Sequence, residues 1–318
     1  MAKFKVVFTD NIFPDLSIEQ EMLSAVDAEV IEVPKGEDPV PYIKDADAVV
    51  NTYMKVPAEM IDAMEKCKLV IRNGIGFDTI DAEACTRRGI MVANVPHYCS
   101  EEVAVHTMAL MLAVTRKLKV FRGSMEKGLW GAKPAMPIFS LENKTLGLIG
   151  FGKIPRLVAE KAKAFGMKVM AYDPFVTAED MAAVGVQKGE LVEVAQVSDV
   201  VSIHCPLNAQ TRGIFDKKMF ERMKPTAFLI NAARGPVVVE KDLICALEEG
   251  LIAGAGLDVL EKDEITADHP LLKMDNVVLT PHVAWYSEES IVRRREQTME
   301  SVVLVLQGKK PVSLCNRV

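Results

Sequence analysis

Residues 144–173 read KTLGLIGFGKIPRLVAEKAKAFGMKVMAYD, and this stretch decides the fold. TLGLIG (145–150) is a strand pattern that runs into a glycine turn. The turn opens the amphipathic helix RLVAEKAKAFG, and KVMAY (168–172) is the next strand. Gly150 permits the tight turn, Gly152 lets backbone approach a pyrophosphate, and the helix N-terminus supplies unpaired N–H groups. Asp173 ends the second strand at the spacing expected of a carboxylate that holds an adenosine ribose diol. Pro174 and Phe175 follow it, with no adjacent Arg to receive a 2′-phosphate. NAD is therefore expected over NADP. The third glycine of such a fingerprint is Pro155 here. Proline is tolerated in a first helical turn, but its ring would hold the helix slightly further from the sheet.

Outward from this unit, short β-rich runs alternate with helical patterns along the whole chain. On the N-terminal side the strands are FKVVFT (4–9), AEVIEV (28–33), DADAVVN (45–51), KLVIRN (68–73) and MVANVP (91–96). Ser17 with Gln20 reads as a capping box opening a helix, and another helix opens at Pro57. Ser100-Glu101-Glu102 starts a long helix whose apolar run continues to about Phe121, and Gly123 to Pro137 reads as a connection. Beyond the glycine turn come DVVSIH (199–204), TAFLIN (226–231), IAGAGLDV (252–259) and NVVLT (276–280). Ser287 opens a final helix ending near Gly308. The pattern implies two doubly wound α/β units, each with a parallel sheet covered on both faces. The final helix is expected to cross back to the first unit. That divides the chain into residues 1–99 plus 287–318, and residues 100–286.

Composition agrees with two domains. The 318 residues carry a formal charge of −6, with 49% hydrophobic and 26% charged residues, which excludes collagen-like and wholly disordered chains. Mild acidity argues against a broad nucleic-acid footprint. The basic run Arg293-Arg294-Arg295 is expected to form a solvated helix face. No apolar stretch is long enough to span a membrane, and MAKFKVVFTD enters a strand without a signal-peptide core, so a cytoplasmic location is expected. The six cysteines lack a CxxC pair and read as free thiols. Glu102 and His106, four apart on a helix, read as a polar pair, and no metal site is expected.

Further motifs stand in order along the chain: RNGIGFDTID (72–81), NVPHYCSEEVA (94–104), the glycine turn, HCPLN (204–208), NAARG (231–235), GLDV (256–259) and TPH (280–282). With them the chain resembles the D-isomer-specific 2-hydroxyacid dehydrogenase family over essentially its whole length. HVAWYSEES (282–290) with RNGIGFD (72–78) resembles the branch that holds the C-terminal binding protein corepressors and the phosphoglycerate dehydrogenases.

The resemblance implies two Rossmann-like or flavodoxin-like domains with the active site in the cleft between them, residues 1–99 plus 287–318 binding substrate and 100–286 binding NAD. It implies that His282 gives a proton to the substrate ketone and that Arg234 clamps the carboxylate and carbonyl oxygens. Asn73, Gly74, Ile75 and Gly76 would offer N–H groups to the carboxylate, with Arg72 nearby. Asp258 would hold the nicotinamide carboxamide. Lys153, Ile154, His204, Cys205, Pro206, Thr211, Asn231 and Ala232 would line the cofactor site, and Trp285 would close over the substrate side chain. The residue types suit the chemistry. A ketone oxygen gathering charge needs a donor titrating near neutrality, and a planar Arg fork binds a 2-keto acid bidentately. Each residue alone admits a plainer role: His282 in packing, Arg234 in a surface pair, Trp285 in an interface.

Relatives read DVxxxEP where this chain reads Asp258-Val-Leu-Glu-Lys-Asp263-Glu264. Asp263 stands in the place of the Glu that would pair with His282, one methylene shorter. Asp263 is the expected partner, with Glu264 the alternative through a one-residue slip. The expected activity is NAD-dependent interconversion of a small D-2-hydroxyacid and its 2-keto acid by a homodimer. An NAD(H)-responsive binding module is the rival, and the lack of an extra interaction segment favours the enzyme.

Overall fold

Five strands, β1 (Phe4–Phe8), β2 (Ala28–Glu32), β3 (Ala48–Asn51), β4 (Leu69–Arg72) and β5 (Met91–Ala93), pair in parallel in the order β2-β1-β3-β4-β5. Seven more, β6 (Thr145–Ile149), β7 (Lys168–Tyr172), β8 (Gln187–Lys188), β9 (Val200–Ile203), β10 (Phe228–Asn231), β11 (Gly254–Leu257) and β12 (Val277–Leu279), form a second parallel sheet, β12-β11-β10-β9-β6-β7-β8. The computed structural model describes residues 2–262 and 264–318. The chain divides into Met1–Cys99 with Tyr286–Val318, and Ser100–Trp285.

Both sheets are covered on both faces, which is why their strands read as apolar runs. In the first unit, Val6, Phe8, Val50 and Ile71 pack with Leu23 and with Met299, Val302 and Val305 of the terminal helix Glu288–Leu306. Val7, Val49 and Val70 face the other way, onto Ile43, Ile61 and Cys85. Ser287 caps the terminal helix by accepting the Ser290 N–H at 2.9 Å. In the second unit, Leu146 and Leu148 pack on Met108 and Met111 of the helix Ser100–Thr115 and on Val158 and Ala162 of the helix Lys153–Ala164.

Three expectations are corrected. Arg293-Arg294-Arg295 is not a solvated face: Arg294 and Arg295 are 1% and 6% exposed. Arg295 meets the buried Glu19 carboxylate at 2.6 Å, and the Arg294 guanidinium lies 4.9 Å from the Phe13 ring. The helix Ser17–Ser24 has no capping box. Its first residue gives its N–H and hydroxyl to Asp15, at 2.9 and 2.6 Å, which together with Arg295 lowers the Asp15 carboxyl to about 2. The long helix does not run unbroken to Phe121. It stops at Thr115, Lys117 turns left-handed at φ 53°, and a second helix, Leu118–Glu126, passes through Gly123. The Lys119 amine, which bonds the main-chain carbonyls of Leu272, Met274 and Val277, fixes that second helix. The edge strand β8 was not anticipated.

Candidate active site

Strand register builds the site. Tyr172, Ile149, Ile203, Asn231, Leu257 and Leu279 are successive partners across β7, β6, β9, β10, β11 and β12. The residues that follow them are Asp173, Gly150, His204, Ala232, Asp258 and Thr280. Motifs scattered over more than a hundred positions thus emerge in one row at the carboxyl edge of the second sheet, where open α/β sheets hold their ligands.

At the centre of the row the chain order reverses, β6 lying between β7 and β9. Gly150 has φ 97°, and a Cβ there would lie 2.9 Å from the backbone of His204 and Cys205. Gly152 caps the helix Lys153–Ala164, and a Cβ on it would meet nothing within 4 Å. The turn is therefore closed on its protein side and open in front of the helix N-terminus, which suits a pyrophosphate. Lys153 and Ile154 begin the helix, and Pro155 is buried in its first turn. Asp173 is half-buried; its two oxygens accept the N–H groups of Phe151 and Phe175, each at 2.8 Å. On the other side, His204 shares a hydrogen bond of 2.8 Å with Ser202, and burial pushes its imidazole down to about 3, so it is neutral. Burial raises the neighbouring Cys205 thiol to about 11. Thr211 is tied to the same loop by a bond to the Pro206 carbonyl at 2.5 Å.

Asn231 turns inward. Its side chain accepts the Ala233 N–H and donates to the Arg234 carbonyl, both at 3.0 Å, and so shapes the turn that presents Arg234. Arg234 is half-buried and bonds the Ala233 carbonyl through Nη1. Gly235 is required, since a Cβ would run into the carbonyl of Leu260. Its absence lets the segment after β11 cross Arg234's turn. Glu240 pins that segment by accepting the Glu261 N–H at 3.0 Å, and pairs with His269 at 3.2 Å.

Asp258 is 2% exposed, and its carboxylate accepts the Thr280 hydroxyl at 2.6 Å and the N–H groups of Val283 and Ala284 at 2.9 Å each. Its carbonyl accepts the His282 N–H at 2.8 Å. Asp258 is also the post around which 280–284 winds. His282 is held at φ 54°, a left-handed conformation costing on the order of 1–3 kcal/mol in a non-glycine residue. The His282 carbonyl accepts the Trp285 indole N–H at 2.9 Å, so Trp285 braces the same turn. His282 and Glu264 line one cavity of about 210 Å³ with Leu260, Ile265, Leu279 and Pro281. Asp263 lies outside the described residues.

In the first unit, Arg72 ends β4 and its guanidinium occupies the space a Gly74 side chain would fill. The Asn73 N–H goes to the Asn51 carbonyl and the Gly74 N–H to the Arg72 carbonyl, both at 2.8 Å. Those two donors are spent, which confines the expected anion-binding amides to Ile75 and Gly76. The buried Asn73 side chain is held by the Thr298 hydroxyl at 3.0 Å.

The sequence pairs His106 with Glu102; in the structure its Nε2 lies 2.9 Å from the Thr280 hydroxyl. Nothing local in the sequence announces this contact. Among the described residues no cluster of three or more His, Cys, Asp or Glu could hold a metal, and no helix is long and apolar enough to cross a membrane.

Residues 108–284 match the family model for the D-isomer specific 2-hydroxyacid dehydrogenase, NAD binding domain. The chain is 41% identical to a D-3-phosphoglycerate dehydrogenase of Archaeoglobus fulgidus over 82% of its own length but only 49% of that protein, so it spans about half of that relative. It is 37% identical to a glyoxylate reductase of Thermofilum pendens, covering 100% of this chain and 96% of the relative. Among solved structures it resembles the D-lactate dehydrogenase of Aquifex aeolicus complexed with NAD and lactic acid, with a TM-score of 0.87 and 33% identity over 95% of this chain and 96% of that one.

Proposed function

The chain belongs to the D-isomer specific 2-hydroxyacid dehydrogenase family, and we propose that it interconverts a small D-2-hydroxyacid and its 2-keto acid with NAD. The observation that carries this reading is the register row, which sets Asp173, Gly150, Asp258 and the His282 turn on one sheet edge. The residues fit the cofactor: Gly152 leaves room before a helix N-terminus, and Asp173 is anchored to face a ribose. Bound there, NAD would supply the hydride chemistry.

The chain's own residues do the rest. His282 gives a proton to the ketone oxygen in reduction and takes it back in oxidation, the acid–base work that an imidazole side chain does. Arg234 binds carboxylate and carbonyl oxygens with its planar fork and fixes which face of the carbon is attacked. Asp263 is proposed to pair with His282, with Glu264 the alternative. The first unit is proposed as the substrate domain, with Arg72, Ile75 and Gly76 receiving the carboxylate. Trp285 favours a modest, partly apolar substrate side chain.

A homodimer and a cytoplasmic location belong to the same reading. Exposed Leu118, Met125, Leu129, Trp130, Met136 and Phe139 offer apolar surface on the second unit for a second copy.

The test is NADH oxidation across a panel of glyoxylate, pyruvate and hydroxypyruvate. Turnover of at least one supports the enzyme, and Asp263→Asn should then cut it by about tenfold or more while Glu264→Gln does little. No turnover, with NADH binding intact, would point to a binding module.

A further inference from the structure

His106 lies on the helix Ser100–Thr115, outside every motif that the proposed reaction uses. Its Nε2 is 2.9 Å from the Thr280 hydroxyl and 3.5 Å from Asp258 Oδ1. Hydroxyl chemistry fixes the direction of the first contact. Thr280 has one proton and spends it on Asp258 Oδ1 at 2.6 Å, so its oxygen accepts from His106, whose Nε2 carries the hydrogen.

The contact matters because of what Asp258 holds. That buried carboxylate and its carbonyl take donors from Thr280, His282, Val283 and Ala284, so the whole turn is wound on one residue. His282 sits in that turn at φ 54°. A non-glycine residue persists there only where its surroundings over-determine it. Those four donors to Asp258 all come from the turn itself, whereas His106 reaches the turn from a separate helix, 174 positions from Thr280.

We infer that His106 is a positioning residue for His282. It holds the Thr280 hydroxyl on Asp258 and, through it, the turn that aims the proton donor. The kinetic consequence rests on the dehydrogenase reading, but the structural consequence does not.

Three single variants and one double variant of the full chain test this: His106→Phe, His106→Gln, Thr280→Val, and His106→Phe with Thr280→Val. His106→Phe keeps a large side chain but loses the donor. It should lower kcat by about tenfold or more, as small misplacements of catalytic groups do, while the Kd for NADH and the KM for the keto acid stay within about twofold. Glutamine restores a donor and should recover most of the rate. Because His106 and Thr280 act through one bond, the double variant should be no slower than the worse single.

Trp285 gives a readout that needs no turnover. Its indole N–H bonds the His282 carbonyl at 2.9 Å, and the chain has two tryptophans, so in a Trp130→Phe background its emission reports the turn alone. His106→Phe and Thr280→Val should shift that emission alike, and His106→Gln should not. Unchanged kcat and emission in His106→Phe would overturn the inference. So would glutamine and phenylalanine variants that lose the same activity and the same Tm, the behaviour of a packing residue. If the unmodified protein turns over no keto acid, the dehydrogenase reading fails, and Trp285 emission alone decides the role of His106.

Discussion

Phe151 donates its backbone N–H to Asp173 Oδ2 at 2.8 Å, so the turn that would meet a pyrophosphate and the acid that would meet a ribose are one rigid piece. A 2′-phosphate would approach a carboxylate that cannot swing away, because its other oxygen is held by the Phe175 N–H. A strong preference for NADH over NADPH follows. Asp173→Ala should weaken NADH binding by about tenfold and narrow the preference, since it removes both the ribose contact and the brace on the turn. Fluorescence titration with both cofactors measures this. Equal use of the two by the unmodified protein would refute the assignment.

Gly235 has backbone, not side chain, where its Cβ would stand. Gly235→Ala must therefore push the Leu260–Glu261 segment away from Arg234. A cost of about 1–3 kcal/mol in urea unfolding is expected, together with a fall in kcat. An alanine variant with unaltered stability and rate would show that the segment is free to move.

Glu19 and Arg295 form an ion pair at 2.6 Å whose side chains are 1% and 7% exposed. Removing Glu19 leaves the buried Arg295 only the exposed Asp15 carboxylate at 3.2 Å, so Glu19→Gln should destabilise the first unit by up to about 3–5 kcal/mol. Replacing both with apolar residues, Glu19→Leu with Arg295→Met, should cost much less. Chemical denaturation of the two variants gives the comparison, and equal losses would contradict it.

Burial holds the His204 imidazole at about 3 against an ordinary 6.5. The unfolded chain therefore takes up this proton first as pH falls below 6.5. The stability linked to neutral His204 is present above that value and lost towards 3, by at most about 1.4 kcal/mol per pH unit. His204→Gln removes the titration. Between about pH 7 and about pH 5, the unmodified protein should lose stability faster than the variant in urea unfolding. Parallel curves would show that His204 titrates normally.

The sheet and its glycine turn were legible in sequence because their chemistry is local. Each strand of the register row ends in the motif that its partners' motifs join, and a parallel sheet lines such ends up without further information. The misreadings share a cause as well. Arg294 and Arg295 look like a solvated run until Phe13 and Glu19, far away in the chain, are brought against them. Lys117 breaks a helix with no glycine or proline to announce it, and its successor helix is set by carbonyls more than 150 positions away. The motif of Asp258 likewise does not announce that its carboxylate winds the distant turn 280–284 through three donors. Burial and hydrogen-bond completion decide such cases, and neither is written in a short motif.

The most direct measurement is NAD-dependent oxidation of paired D- and L-2-hydroxyacids, lactate and glycerate among them, followed by NADH absorbance. NADH formation is expected with at least one D-enantiomer and with neither L-enantiomer, and His282→Asn should lower the rate by about a hundredfold or more. No oxidation of any D-acid by protein that binds NADH, or equal oxidation of both hands, would contradict the assignment of His282 and Arg234 to a D-2-hydroxyacid dehydrogenase site.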